Sequence, residues 1–258
     1  MNRQEIVALR EYKVVKHNDL IQKARYQLTR QEQKVLLYLI SKIKPEDVDF
    51  NYQEFSIADF CDICGIQDRS GGNYAAIKAT IKNLADISHW VIEEDGSEVL
   101  MRWIEKVRIN KKSGVIKIRL DHDMKPYLLQ LNEKFTQYEL LYTLAMKSQY
   151  SVRLYELLRS YEYKQQWAFD IDELKRLLSA ENYTRYPDFK RYVLDRSIRE
   201  INEFSDVAVI YEPIKAGRKY IKIAFSIKQK KELGERMQTW KKIDEILNPA
   251  QMSLFEQI

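Results

Sequence analysis

The stretch PDFKRYVLDRSIREINEF (residues 187–204) holds the pattern from which the fold of this chain can be derived. Proline suits the first turn of a helix, because its missing N–H removes no helical hydrogen bond there. A helical wheel places a mostly apolar set on one side: Val193, Leu194, Ser197, Ile201 and Phe204. The opposite side is polar and carries Arg191, Tyr192, Asp195, Arg196, Arg199 and Asn202. The pattern predicts an amphipathic helix with one face in a core and an arginine-rich face in solvent.

A basic hairpin is predicted directly after this helix. Residues 207–211 and 220–227 have the composition of β-strands, and KAGR (215–218) between them is a turn signal. Residues 213–231 contain seven basic residues and no acidic one, and residues 101–119 contain seven basic residues and one acidic residue, Glu105. Concentrated positive charge indicates a polyanion-binding surface, but two hairpins with solvated lysines fit the charge equally well.

The residues before the helix predict more helices and a strand. TQYE (136–139) has the spacing of a capping box, so we expect a helical stretch from there to about residue 161, interrupted near Ser148. Residues 167–169 predict a short strand, and Asp170 is the predicted N-cap of a helix that ends near Ser179.

The first half of the chain has the same order of elements. In order, they are a helix opened by the capping box TRQE (29–32), a strand at 50–55, a helix from SIAD (56–59) to Gly65, a helix at 74–87, and strands at 89–93, 99–110 and 115–120. Two further matches indicate a duplication: FSIADF (55–60) parallels FDIDEL (169–174), and VIKIRL (115–120) parallels YIKIAF (220–225).

Helix, strand, helix, helix and hairpin is the order of a winged helix. We therefore predict an α+β fold of two tandem winged-helix domains related by internal duplication. In such domains the third helix can enter the major groove of DNA, and the wing can contact phosphates or the minor groove.

Length and composition limit the remaining possibilities. A chain of 258 residues has room for about two domains, and its net charge of +5, from 43 basic and 38 acidic residues, is modest. No run of about 18 apolar residues occurs, so we expect no membrane span. The first residues lead into no apolar signal segment. Two cysteines in this length favour a reducing compartment, and we expect a cytoplasmic protein.

The sequence contains no convincing catalytic constellation. No glycine is followed by lysine, which excludes the GxxxxGK[ST] phosphate-binding loop and its ATPase chemistry. The three histidines are too far apart for a His-x-His metal pair, and we interpret Asp121-His122-Asp123 as a turn. Cys61 and Cys64 lack a second Cys/His pair, so we interpret them as small apolar packing residues. We expect no cofactor, no metal and no enzymatic activity.

Several short motifs, taken in their order, make the chain resemble the plasmid replication initiator family, also called initiator Rep or RepB-like proteins. The resemblance covers roughly residues 15–230. The motifs are NDLI (18–21), LTRQEQ (28–33), YPDFKRYVLD (186–195), IREIN (198–202), VIY (209–211) and KAGRK (215–219). Each is weak alone, and the ordered set is specific.

The resemblance implies tandem winged-helix domains that bind repeated origin sequences in double-stranded DNA. It also implies monomers that initiate plasmid replication with the host's replicative helicase machinery, in equilibrium with homodimers that can repress their own promoter. The expected divisions are an N-terminal arm (1–17), a first domain for dimerisation and DNA backbone contacts (18–135), a second domain for main DNA recognition (136–230), and a C-terminal helix with a flexible tail (231–258).

The wheel and the resemblance together give candidate DNA contacts. Arginine can pair with guanine O6 and N7, and aspartate can accept from cytosine N4, each good pair being worth about 1–3 kcal/mol of discrimination. A solvated face with i,i+4 ion pairs, such as Asp195 with Arg199, is the alternative interpretation. The candidates of the second domain are Lys190, Arg191, Tyr192, Asp195, Arg196 and Arg199 on the helix and Lys215, Arg218 and Lys219 on the wing. Those of the first domain, expected to meet mainly phosphates, are Asn73, Lys78, Lys82, Lys111 and Lys112.

The C-terminal residues carry a separate motif. Residues 232–247 predict an amphipathic helix stopped by Asn248-Pro249. QMSLF (251–255) resembles the Gln-x-[Ser/Asp]-Leu-Phe pentapeptide by which bacterial replication proteins dock on the sliding clamp. Its predicted contact residues are Gln251, Ser253, Leu254 and Phe255, of which the last two can fill an apolar pocket. An ordinary tail whose Leu and Phe fold back on the protein fits the same residues.

Three other functions stay open at this level. The first is a winged-helix transcriptional regulator without a role in replication, which a plasmid-maintenance assay would separate from an initiator. The second is a DNA-nicking enzyme, which the missing nucleotide loop and missing His-x-His pair disfavour. The third is a scaffold that binds only proteins.

Overall fold

The computed structural model describes residues 3–66, 72–92, 95–110 and 112–248. The elements of the first half are α1 (Arg3–Arg10), β1 (Lys13–His17), α2 (Asn18–Gln22), α3 (Arg30–Ser41), β2 (Gln53–Ser56), α4 (Ile57–Ile63), α5 (Gly72–Asp86), β3 (Ser88–Ile92), β4 (Glu98–Arg102), β5 (Ile104–Asn110), β6 (Val115–Leu120) and, after the 3-10 turn His122–Met124, α6 (Lys125–Leu128). Those of the second half are β7 (Phe135–Glu139), α7 (Leu141–Leu144), α8 (Gln149–Ser160), the 3-10 turn Glu162–Lys164, β8 (Gln166–Asp170), α9 (Ile171–Leu178), α10 (Tyr186–Phe189), a π-helical turn (Lys190–Leu194), α11 (Asp195–Phe204), β9 (Val207–Ala216), β10 (Lys219–Gln229) and α12 (Leu233–Leu247).

The two halves contain equivalent three-stranded antiparallel sheets. The strand order is β2-β6-β5 in the first and β8-β10-β9 in the second, so in both the strand ahead of the helices pairs with the last strand of the hairpin. This confirms the predicted tandem winged-helix architecture.

The predicted alignment of the two repeats is wrong by two residues at the last strand. Phe55 pairs with Ile116, and its counterpart Phe169 pairs with Ile223 rather than with Ile221. A shift of two keeps every side chain on its face of the sheet, which is why the sequence match concealed it.

Local end signals account for the helices of the first unit. Thr29 and Glu32 form the predicted capping box, in which the Thr29 hydroxyl accepts from the Glu32 N–H and the Glu32 carboxylate accepts from the Thr29 N–H at 2.7 Å. Ser56 caps α4 in the predicted way, accepting from the Asp59 N–H at 3.0 Å. The chain leaves α4 through Gly65 at a φ of +64°, a conformation that glycine adopts without strain.

The predicted capping box at residues 136–139 is wrong. Those residues form β7, which pairs antiparallel with β1, and the Thr136 hydroxyl donates to the Asn18 carboxamide oxygen instead of capping a helix. Helical structure begins only at Leu141. The predicted interruption at Ser148 is confirmed, because its hydroxyl caps α8 by accepting from the Tyr150 N–H.

Three other strand and cap predictions need correction. The strand predicted at 99–110 is two strands, β4 and β5, separated at the buried Trp103. The strand predicted at 50–55 begins later, at Gln53. Asp170 stands at the N-cap of α9 but its side chain makes no capping hydrogen bond, and it lies 3.6 Å from the Lys222 ammonium instead.

Helix α8 joins the two halves, and its residues 151–158 are all buried. The Arg153 guanidinium donates to the carbonyls of Ile21 and Ala24, at 2.7 and 2.9 Å, and to that of Leu177, at 3.2 Å. One arginine thus ties the end of α2 to α9 of the second unit. The buried apolar residues of both units form one continuous core, which holds the two candidate DNA-binding units in a defined relation.

Within the described ranges, no helix is long and apolar enough to cross a bilayer. In the same ranges, no group of three or more His, Cys, Asp or Glu side chains lies together as metal ligands would. Cys61 and Cys64 are buried on and just after α4, as predicted for apolar packing residues. Asp121 caps the 3-10 turn that follows β6, so the predicted turn at 121–123 is confirmed.

Candidate nucleic-acid interface

The recognition helix, defined here as residues 186–204, consists of α10, the π-helical turn and α11 in succession. The five core-facing residues predicted from the wheel are all buried, at 5% exposure or less: Val193, Leu194, Ser197, Ile201 and Phe204. The predicted polar face is exposed along its length: Arg191, Tyr192, Asp195, Arg196, Arg199 and Asn202. The amphipathic prediction is therefore confirmed, and the arginine face is open to a ligand.

A groove of about 300 Å³ runs along this face. It is lined by Ser148, Tyr150, Tyr183, Arg191, Tyr192, Asp195, Arg196 and Arg199. Arg196 is held by an ion pair to Glu200 at 3.3 Å, and Glu200 also accepts from the Lys147 and Ser148 N–H groups. In the described part of the chain Arg191 and Arg199 have no carboxylate partner. Their guanidinium groups are therefore available for a bound anion or base edge.

Asp195 does not pair with Arg199 as the solvated-face interpretation had it. Its two carboxylate oxygens accept from the Lys190 ammonium at 2.9 and 2.7 Å, and one of them also accepts from the Tyr211 hydroxyl at 2.5 Å. Partial burial opposes ionisation of Asp195, but these hydrogen bonds and the Lys190 charge outweigh it and hold the pKa of Asp195 below its usual value. Asp195 is thus an anion with its partners in place.

The wing of the second unit presents the predicted basic residues at its exposed tip. Lys215, Arg218 and Lys219 are exposed, and Gly217 turns the chain between them at a φ of +60°. The Lys215 ammonium lies 4.5 Å from the centre of the Tyr220 ring, which in turn stacks on Tyr186 at the start of the recognition helix. The wing tip is therefore cationic, and Tyr220 beside the turn packs it against the start of the recognition helix.

Fewer of the predicted contacts in the first unit are free of a carboxylate partner. Lys78 is exposed on α5, whereas Lys82 forms an i,i+4 pair with Asp86 at 2.6 Å. On its hairpin Lys112 is exposed, and the strand residues Lys117 and Arg119 are paired with Glu54 and Glu105. The side chain of Asn73 and all of Lys111 lie outside the described residues. Among the predicted contacts, those of the second unit are therefore the less neutralised, although Arg102, Lys106 and Arg108 of β4 and β5 are also exposed.

Of the three tyrosines that line the candidate groove, the sequence predicted Tyr192 and missed Tyr150 and Tyr183. Tyr150 on α8 and Tyr183 ahead of the recognition helix line the groove, and Tyr183 stacks on the exposed Tyr192. Seventeen tyrosines in the chain make the residue type uninformative by itself. The one sequence feature that could have indicated a groove residue is the position of Tyr183, a few residues before the recognition helix. The predicted clamp residues Gln251, Ser253, Leu254 and Phe255 lie outside the described residues.

Two models of one protein family match the chain. One, described as "Initiator Replication protein, WH1", matches residues 13–159, and the other, "Initiator Rep protein, WH2", matches residues 170–227.

Two similar proteins come from Escherichia coli. A "PI protein" is 30% identical over 147 residues, which are 50% of this chain and 48% of that protein. A "Replication initiation protein" is 24% identical over 240 residues, which are 86% of this chain and 72% of that protein.

The chain therefore spans about half the length of the first of these relatives and 72% of the second. Among solved structures, the fold is similar to that of the Pi initiator protein in complex with iteron DNA. The TM-score is 0.68 at 22% sequence identity, and the match covers 86% of this chain and 99% of the other. The family matches span well over half of the chain. The first runs from β1 to the last turn of α8, and the second from the end of β8 to β10. The chain belongs to the initiator replication protein family.

Proposed function

We propose that this protein binds repeated sequences in the replication origin of a bacterial plasmid and initiates replication there as a non-enzymatic DNA-binding protein of the cytoplasm. The observation that carries the proposal is the exposed arginine face of the recognition helix beside a cationic wing tip. Family membership and the iteron DNA bound by the similar Pi initiator support it. The direct experiment is an electrophoretic shift with repeats from the protein's own replicon, titrated with salt and with random-sequence competitor.

The two units are proposed to divide the work. The second unit, with the unpaired Arg191 and Arg199, reads bases in the major groove. The first unit, through Lys78, Lys82 and Lys112, neutralises phosphates and provides the dimer contact. The dimer would repress the protein's own promoter, and the monomer would start replication together with the host's helicase machinery. The domain limits at 135/136 and 230/231 stay predictions.

Arg199→Ala and Lys219→Ala are expected to separate the recognition of bases from the neutralisation of phosphates. Loss of Arg199 should cost about 1–3 kcal/mol of discrimination between the preferred duplex and random duplex, with most nonspecific binding retained. Loss of Lys219 should weaken binding to both duplexes about equally and reduce the salt slope by about one. Competition shifts over a range of salt concentrations measure both quantities.

Lys241→Ala is the matched control, because Lys241 is an exposed lysine on α12 that is not among the predicted DNA contacts. It should leave the affinities for both duplexes, and the salt slope, unchanged. An Arg199→Ala variant with unaltered sequence choice in footprinting would contradict the proposed division of labour.

We further propose that the C-terminal pentapeptide docks on the bacterial sliding clamp. Leu254→Ala/Phe255→Ala should abolish capture of the purified clamp by the immobilised protein. The reason is that the two apolar side chains proposed to fill a pocket of the clamp are lost. Gln257→Ala, in the same tail but outside the motif, is the control and should bind as the native chain does. Equal capture by the double variant and the control would dispose of this part of the proposal.

A further inference from the structure

The π-helical turn gives the recognition helix an unusual side-chain pairing. In an α-helix, residues five apart point about 140° away from each other, so their side chains do not meet. In the π-helical turn the Asp195 N–H donates to the Lys190 carbonyl, an i to i+5 hydrogen bond. The same two residues also pair through their side chains, at 2.7 Å. The extra residue in the turn is what brings Lys190 and Asp195 onto one face, and such turns are frequent at functional sites.

Tyr211 connects this pair to the wing. It lies on β9, in register with Phe225 of β10, and its ring contacts Phe225 while its hydroxyl donates to Asp195. The Lys190 ammonium lies 5.9 Å from the centre of the Tyr211 ring. Helix and wing thus share one ionic and hydrogen-bonded cluster, called here the helix–wing junction (Lys190, Asp195 and Tyr211).

A second contact between the same two elements lies nearby. The rings of Tyr186 and Tyr220 stack with centroids 4.0 Å apart and planes 23° from parallel, and Lys215 sits over Tyr220. Near the end of the helix, the Asn202 carboxamide exchanges two hydrogen bonds with the Val209 backbone of β9, at 2.9 and 2.6 Å. These bonds anchor one end of the helix on the hairpin, and the junction and the tyrosine stack fix the angle at which the rest of the helix lies.

We propose that Asp195 and Tyr211 are positioning residues for DNA recognition: the helix–wing junction fixes the angle between the recognition helix and its wing, so that Arg199 meets bases while Lys219 meets phosphates. The inference deepens the proposed function and rests on it. It gives Asp195 a role other than accepting from cytosine, because its carboxylate already accepts three hydrogen bonds from within the protein. A paired cytosine donates only one hydrogen bond from its amino group in the major groove, so releasing the three internal bonds to accept it would cost more than is gained.

Two conservative variants of the full-length chain test the junction without DNA. Tyr211→Phe removes one hydroxyl and keeps the ring against Phe225, and Asp195→Asn removes the charge and keeps the shape. Spin labels at Glu203 and Ala216, in a background with Cys61→Ala and Cys64→Ala, report the distance between helix and wing tip. We expect the distance distribution to broaden in both variants. It should be unchanged in Asp188→Asn, whose carboxylate lies on the same helix 3.9 Å from Arg185 and outside the junction.

The same variants are then tested against the duplex that the native chain selects from a random library. The ratio of affinities for that duplex and for random duplex should fall about tenfold in each variant, the scale of one or two charge-assisted hydrogen bonds. The double variant should lose no more than the worse single one, because both changes break one unit.

An unchanged distance distribution in both variants would overturn the proposal. A second result would also overturn it: Asp195→Asn changes the preference at a single base pair while Tyr211→Phe has no effect. That pattern would show that Asp195 contacts a base directly. If the native chain selects no preferred duplex, the proposed function fails, while the distance measurement still decides whether the junction sets the angle.

Discussion

Replacing Lys16 by methionine is expected to lower the free energy of unfolding by about 3–5 kcal/mol, because it leaves a buried carboxylate without its counter-charge. Lys16 on β1 and Glu156 on α8 pair at 2.6 Å with 1% and 3% of their side chains exposed. The Tyr138 hydroxyl of β7 also donates to Glu156. Methionine fills a similar volume, so the loss reports charge rather than packing. Urea unfolding at neutral pH measures it.

Two companion variants isolate the cause. Lys13, on the same strand as Lys16, pairs with Glu139 of β7, but its side chain is 48% exposed and water can take its place. Lys13→Met should therefore cost at most about 1 kcal/mol. Lys16→Met/Glu156→Leu removes both buried charges and should recover most of the stability lost in the single variant. If Lys16→Met costs no more than Lys13→Met, Glu156 must be neutral in the folded chain or reached by solvent, and the argument fails.

The contrast between Thr29 and Thr136 shows where sequence prediction was sufficient and where it was not. Both open a Thr-x-x-Glu motif, and only the first became a capping box. At residues 136–139 the side chains alternate between buried and exposed, with Thr136 and Tyr138 buried. Their strand partner is β1, more than a hundred residues earlier in the chain. A capping box depends on four consecutive residues, whereas strand pairing depends on a distant segment that overrides the local signal.

The recognition helix shows the same limit within a site. Its buried and exposed faces followed from local periodicity, because a helical wheel needs only the spacing of residues. The partner of Asp195 did not, since the π-helical turn changes that spacing and replaces an expected i,i+4 pair by an i,i+5 pair with Lys190. Tyr211 joins the site only because β9 folds back along the helix. Which residues are exposed was therefore predictable, and which of them remain unpaired was not.

Acidification is expected to destabilise the protein through His89. This residue on β3 is 2% exposed and stacks on Trp103 with ring centroids 4.1 Å apart, and neither of its ring nitrogens has a hydrogen-bond partner in the described structure. Burial, together with the charges of Arg153 and Lys16, lowers the pKa of His89 from 6.5 to about 4. The folded chain therefore keeps this imidazole neutral well below neutral pH.

The unfolded chain binds a proton at His89 below about pH 6.5, and the folded chain does so only below about pH 4. Stability attributable to His89 is thus complete above pH 6.5 and is lost as the pH falls to 4, by about 3 kcal/mol. His89→Phe keeps an aromatic ring against Trp103 and removes the titration. Urea unfolding at several pH values between 7 and 4 should therefore show a shallower decline in this variant than in the native chain. His122→Gln, a change at an exposed histidine, should keep the native decline. An equally steep decline in His89→Phe would show that other groups cause the acid sensitivity.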